Sequence, residues 1–209
     1  MNQKQLQVVA VIVGCYIAAQ IFSDITSLKI ILLGGLVVDG GTLIYPFSFT
    51  LRDLLHKSAG VKVTRTVIVL AAALNLLMAG LFWGVASLPV APDLPPADPS
   101  HAFASVLAPV LQIVLASILA EVLAEFLDTE AYQWWQKRFG ARHQWGRVLV
   151  SNALSVPLDS AVFVGLAFWG LPIDVLWGIF LTNVLVKGAV TLISIPAIYW
   201  VEETSAQEG

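Results

Sequence analysis

Five long apolar runs are the strongest constraint on this chain. They cover residues 6–22, 66–88, 102–127, 148–170 and 173–201. A helix needs roughly 18–20 apolar residues to cross the hydrocarbon core of a bilayer, and each run is near or above that length. Charged residues make up only 12% of the sequence, about half the share in an average soluble domain. The sequence therefore predicts an all-α integral membrane protein, with residues 1–209 forming a single transmembrane domain.

The segment 23–60 is apolar but too broken for one straight helix. Four glycines and a proline interrupt it, namely Gly34, Gly35, Gly40, Gly41 and Pro46. The short runs KIILL and LVV flank Gly34-Gly35, which predicts a hairpin-like insertion between helices 1 and 2. An open strand edge cannot face lipid, so we expect the hairpin at the membrane surface or inside the protein. A short second helix is predicted from Thr42 to about Lys57, which gives six transmembrane helices in one bundle.

The basic residues predict the orientation of this bundle. Eight of them fall on one side of a six-helix arrangement: Lys4, Lys57, Lys62, Arg65, Lys137, Arg138, Arg142 and Arg147. The opposite loops hold Lys29 together with Asp24, Asp39, Asp93, Asp98 and Asp174. Because cytoplasmic loops of membrane proteins are enriched in Lys and Arg, we predict a multi-pass membrane protein with both termini in the cytoplasm.

An aspartate near the middle of predicted helix 5 points to a functional interior. A charged side chain at the centre of a membrane helix costs ~2.5–3.5 kcal/mol, so Asp159 requires compensation. Asn152 and Ser155 precede it at positions that share one helical face. We expect this face to point into the bundle.

Four other predicted helices carry polar stripes or polar residues of their own. These contain Glu121, Glu125 and Asp128 on helix 4, Asn183, Lys187, Thr191 and Ser194 on helix 6, Arg52 and Asp53 on helix 2, and Asn75 on helix 3. In one interpretation, ion pairs such as Lys187 with Asp159 or Glu125 only hold helices together. In the other, the stripes line a binding site.

A count of charges favours the binding site. Four acids are placed within the helices, Asp53, Glu121, Glu125 and Asp159, against the two bases Arg52 and Lys187. The two surplus carboxylates must be protonated, hydrated or in contact with a cationic or hydrogen-bond-donating ligand.

Catalytic motifs give no competing explanation. The three histidines, His56, His101 and His143, fall at predicted helix ends or in loops, and no nucleophile elbow, P-loop or dinucleotide motif occurs. The sequence therefore predicts a small-molecule transporter or binding subunit, without enzymatic activity, cofactor or metal.

Four motifs carry a family resemblance. Tyr45 to Phe49 followed by Arg52-Asp53-Leu54 resembles the aromatic-Pro-x-x-Phe-x-x-x-Asp motif of the vitamin-uptake-transporter (VUT) family, the queuosine precursor transporters. The segments EFLDTEAYQWW, SNALSVPLDSAVF and VKGAVTLISIPAIY are similar to later motifs of that family, in the same order. One departure is Asp24, where family members often carry asparagine.

The resemblance implies an inner-membrane importer of 7-deazaguanine queuosine precursors, preQ0 or preQ1. A guanine-like edge offers a ring N–H beside an NH2 group, a donor pair that one carboxylate accepts. We assign this edge to Asp159 or Glu125, an adjacent polar contact to Asn152, and the carbonyl to Lys187, which alternatively holds the carboxylate. Phe49 is expected to stack on the base. The remaining candidate binding residues are Asn183, Asp53 and Glu121.

Stripes of small residues on three predicted helices could serve contacts with a second copy of the chain or with another protein. The stripes are Ala10, Gly14 and Ala18 on helix 1, Gly80 and Gly84 on helix 3, and Ala116, Ala120 and Ala124 on helix 4. They predict close helix packing within the chain or between the two chains of a homodimer. The stripe on helix 1 would also suit docking to an external ATPase module, as in the substrate-binding S subunit of an energy-coupling-factor transporter. We expect contacts with membrane lipid and none with nucleic acid.

Overall fold

The structure is a computed structural model that describes residues 3–139 and 144–200. In these ranges the chain forms α1 (Gln3–Thr26), β1 (Ile30–Leu33), β2 (Leu36–Asp39), a 3-10 turn (Gly40–Leu43), α2 (Tyr45–Ala86), α3 (Ser100–Leu107), α4 (Val110–Phe139), α5 (Gln144–Ala167) and α6 (Ile173–Trp200). The protein is therefore mostly helical, with one small sheet between α1 and α2.

Helix α2 combines the two helices that the sequence predicts on either side of residue 60. Gly60 interrupts it with a φ of 80°, a backbone conformation that glycine adopts without steric cost. The first part begins at Tyr45 with a proline in its first turn, where the missing N–H has no helical partner to lose. The predicted start at Thr42 is wrong, because Gly40–Leu43 forms the separate 3-10 turn.

Four segments of the described chain are long and apolar enough to cross a membrane. They are Gln5–Thr26, Lys62–Ala86, Ser100–Ala124 and Ile173–Val190, and Asn152–Ala167 is a shorter apolar helix. The chain is thus a multi-pass membrane protein, whereas the count of six membrane helices stays a prediction.

A two-stranded antiparallel hairpin connects α1 with the 3-10 turn. Ile30 pairs with Asp39, and the strands reverse at Gly34-Gly35, whose φ angles of 58° and 85° suit a two-residue hairpin turn. Helix α6 covers the second strand: the Thr182 hydroxyl donates a hydrogen bond to the Val37 carbonyl at 3.0 Å. The hairpin is therefore fixed to a membrane helix.

The 3-10 turn packs closely on the end of α1. Gly40 and Gly41 are buried, and the Ser23 hydroxyl donates to the Gly41 carbonyl at 3.2 Å. A Cβ atom at Gly41 would overlap the Ser27 side chain and the Ser23 carbonyl oxygen. Glycine is required here because two backbones approach each other without room for a side chain.

The small residues of helices α1, α2 and α4 have different environments. Ala116 and Ala120 on α4 are buried, and Ala116 packs with α5 and α6 residues such as Val164 and Ile179. In contrast, no other atom lies within 4 Å of a Cβ placed at Gly14, Gly80 or Gly84. The α4 stripe therefore packs within the chain, and the glycines on α1 and α2 make no close helix contact in the described residues.

We predict that Gly41→Ala destabilises the protein by about 1–3 kcal/mol, because the new methyl group forces α1 and the 3-10 turn apart. Thermal unfolding of the purified protein in detergent measures the effect. Gly80→Ala is the matched control: its methyl group meets open space, and alanine favours a helix interior over glycine by about 1 kcal/mol. Equal unfolding temperatures for the two variants would contradict the close packing at Gly41.

Candidate functional site

A polar cavity lies where α1, α4, α5, α6 and the 3-10 turn meet. Its polar lining comes from Ser23, Asp24 and Ser27 on α1, Asp39 and Thr42 at the 3-10 turn, Ser117 on α4, Asp159 on α5, and Asn183 and Lys187 on α6. The rings of Tyr45 and Phe163 add aromatic surface. The cavity volume is about 40 Å³, enough for about three water molecules. Residues far apart in the sequence thus form one partly open polar site.

Lys187 and Asp159 form a buried ion pair on one side of this cavity. The Lys187 ammonium donates a hydrogen bond to Asp159 Oδ2, and both residues are 9% exposed. The same ammonium lies 4.7 Å from the centre of the Tyr45 ring, at a distance suited to a cation–π interaction. The pairing of Lys187 with Asp159, one of the two partners considered from the sequence, is present.

The Asp39 carboxylate accepts hydrogen bonds from the backbone and side chains around it. Its Oδ1 accepts hydrogen bonds from the Ser27 hydroxyl at 3.0 Å and from the Thr42 N–H at 3.1 Å, and its Oδ2 accepts from the Thr42 hydroxyl at 2.7 Å. Asp39 therefore caps the 3-10 turn in the way that aspartate caps a helix. Its role is to hold the hairpin and the end of α1 together.

The Thr42 hydroxyl connects Asp39 with α6, because it also contacts the side-chain amide of Asn183. The hydroxyl has one proton and is placed as donor to both Asp39 Oδ2 and Asn183 Oδ1. Two oxygen acceptors therefore share one donor, and Thr42 joins the hairpin to α6.

Asp24, another carboxylate of the cavity lining, has a different set of partners. It is 6% exposed. Its Oδ2 accepts from the Asn75 amide at 2.8 Å, and its Oδ1 accepts from the Ser117 hydroxyl at 3.2 Å. Glu121 interacts with it electrostatically and adds negative charge. Both hydrogen-bond partners of Asp24 are neutral.

The sequence analysis placed Asp24 and Asp39 in outer loops. For Asp24 this is wrong, because helix α1 continues to Thr26 and Asp24 belongs to its last turns. Asp39 lies in the connecting hairpin, which returns it to the same end of α1. Two signals in the sequence were available. Ser23 and Ser27 are one helical turn apart beside Asp24, and Asp39 stands three residues before Thr42, a capping distance.

The structure brings together three of the eight predicted binding residues. Asp159, Lys187 and Asn183 line the cavity. Asn152 is half-buried about two turns before Asp159, and Glu121 is half-buried one turn beyond Ser117, but neither is part of the cavity lining. The side chains of Glu125, Phe49 and Asp53 lie outside the described residues. Phe163 and Tyr45, which the sequence analysis did not select, provide the aromatic rings.

A scan of protein families matches residues 39–201 to the family described as "Putative vitamin uptake transporter". The chain belongs to this family. No curated protein and no solved structure shows significant similarity to it. The match covers the cavity residues from Asp39 to Lys187 and begins after Asp24. Family membership indicates uptake of a vitamin-like small molecule. The cavity is the candidate site for that molecule.

We predict that Lys187→Met destabilises the protein by about 3–5 kcal/mol, because it leaves the buried Asp159 without its cation. The double variant Asp159→Asn/Lys187→Met is expected to recover much of this loss, since both charges are then absent. Thermal unfolding in detergent measures all three proteins, with exposed Lys29→Met as the control. A double variant that is as unstable as the sum of its single changes would argue against the ion pair.

Proposed function

We propose that this chain imports 7-deazaguanine precursors of queuosine, preQ0 or preQ1, across the inner membrane. The observation that carries the proposal is the Lys187–Asp159 pair at the wall of a polar cavity. The pair presents a hydrogen-bond donor beside an acceptor. A guanine-like edge presents the complementary groups, a carbonyl oxygen beside a ring N–H and an NH2 group.

In the proposed complex, Lys187 donates to the carbonyl oxygen of the base and Asp159 accepts from its N–H and NH2 groups. Such charge-assisted, bidentate contacts are the strong ones among protein hydrogen bonds. Asn183 is adjacent and is held in position through Thr42. These contacts replace the water that the solute loses on leaving solution.

The aromatic residues of the cavity support a planar solute. Phe163 and Tyr45 line it, and stacking of a base on an aromatic ring contributes about 1–3 kcal/mol. We therefore assign stacking to these rings in addition to the Phe49 ring predicted from the sequence. Binding by Glu125, Glu121, Asn152, Asp53 and Phe49 stays a prediction.

Binding of a base requires the cavity to widen. A bicyclic base is larger than the three or so water molecules for which the cavity has room. Transporters of this kind open and close around a site between their helices. We propose that the hairpin, which rests on α6 through Thr182 and Val37, moves as the outer gate, with both termini of the chain in the cytoplasm.

We predict that Asp159→Asn, Lys187→Met and the double variant each reduce uptake of labelled preQ0 and preQ1 at least about tenfold, the effect of losing one charge-assisted hydrogen bond. Uptake is measured in cells unable to synthesise these bases, at equal membrane abundance. The double variant separates folding from binding, because it restores stability without restoring the donor and acceptor.

Asp93→Asn in the exposed loop is the matched control and is expected to transport at the native rate. Native-level uptake by both single variants would remove the ion pair from the binding site. Reconstitution of the purified chain in vesicles then tests the alternative, an energy-coupling-factor S subunit, because transport by the chain alone requires no external ATPase.

A further inference from the structure

We propose that Asp24 forms a second subsite, which binds a primary ammonium group of the solute, so that the transporter prefers a base with an aminomethyl substituent to one with a nitrile. This inference rests on the proposed function, because it takes the base to be held by Lys187 and Asp159. Asp24 then contacts the substituent.

The three aspartates of the cavity differ in what surrounds them. Asp159 is neutralised by Lys187, and Asp39 accepts three hydrogen bonds as the cap of the 3-10 turn. Asp24 accepts one hydrogen bond on each oxygen, from Asn75 and Ser117. Among the described residues, neither Asp24 nor Asp39 makes an ion pair, and Asp24 accepts fewer hydrogen bonds than Asp39, both from neutral groups. Of these two cavity carboxylates, Asp24 therefore has the fewer donors around its charge.

Asp24 also has acceptor capacity left. Each carboxylate oxygen can accept about two hydrogen bonds, and the Asn75 and Ser117 donors use one on each oxygen. Because Asp24 lines the cavity, a solute in the cavity can reach it. An ammonium group supplies what is missing, a positive charge and three donors.

Asp24 comes from other helices than the ion pair. Asp159 and Lys187 come from α5 and α6, whereas Asp24 comes from α1 and is held by Asn75 on α2 and Ser117 on α4. In a 7-substituted 7-deazaguanine, the substituent is on the five-membered ring, on the carbonyl side and away from the N–H and NH2 donor pair. A base whose donor pair meets Asp159 therefore leaves its substituent free to meet a second carboxylate of the cavity.

The charges of the two natural candidates differ at this position. The aminomethyl group of preQ1 is cationic near neutral pH and donates hydrogen bonds. The nitrile of preQ0 is neutral and only accepts, so it places an acceptor against the Asp24 carboxylate. The carboxylate therefore attracts the first group and opposes the second.

The test compares uptake kinetics for preQ1, preQ0 and a 7-hydroxymethyl analogue, which has the size of preQ1 without its charge. In the wild-type protein we expect a KM for preQ1 at least about tenfold below the KM for the other two bases. Asp24→Asn, which keeps the shape and removes the charge, is expected to raise the KM for preQ1 about tenfold and to change the others less than about twofold. Asp93→Asn, the same chemical change in the exposed loop, is the control and is expected to keep the preference.

The possible outcomes are distinct. If the wild-type protein transports none of the three bases, the proposed function fails and the subsite fails with it. If it transports them without preferring preQ1, or if Asp24→Asn lowers uptake of all three equally, as a proton-carrying carboxyl would, the subsite is wrong and the importer stands. The comparison of KM values for the three bases uses wild-type protein alone. It therefore tests the subsite even if the Asp24→Asn variant folds poorly.

Discussion

The cost of placing charge inside a membrane protein governs this structure. Burial of an uncompensated charge costs several kcal/mol, and Asp159 is compensated by pairing with Lys187 from the neighbouring helix. The pair joins α5 to α6, and the Tyr45 ring beside the ammonium brings the start of α2 to the same place. These groups form part of the wall of the polar cavity.

Two aspartates of similar burial have taken different roles in this cavity. Asp39, 2% exposed, is surrounded by donors from its own segment and from α1, so it serves the fold. Asp24, 6% exposed, is held by donors from α2 and α4. Both aspartates line the cavity, so burial and position do not distinguish them, whereas the origin and number of their donors do.

The sequence was sufficient to predict the parts of the fold and site that depend on local pattern. Asp159 and Lys187 were recognisable because each interrupts an apolar helix, and Gly34-Gly35 marks the hairpin turn. Asp24 was misplaced because a charge near the end of an apolar run resembles a loop residue. Its partners Asn75 and Ser117 are 51 and 93 positions away, and no periodicity within one helix shows such a contact. Phe163 was missed because an aromatic residue in an apolar helix is ordinarily a packing residue.

The two side chains that tie the hairpin to α6 are neighbours in the sequence. Thr182 bonds to the Val37 carbonyl and Asn183 bonds to Thr42, while Lys187 follows Asn183 by one helical turn on the same face. A twist of α6 that withdraws Lys187 from Asp159 would therefore also pull on both attachments of the hairpin. The buried ion pair and both attachments of the hairpin thus depend on the same short stretch of α6.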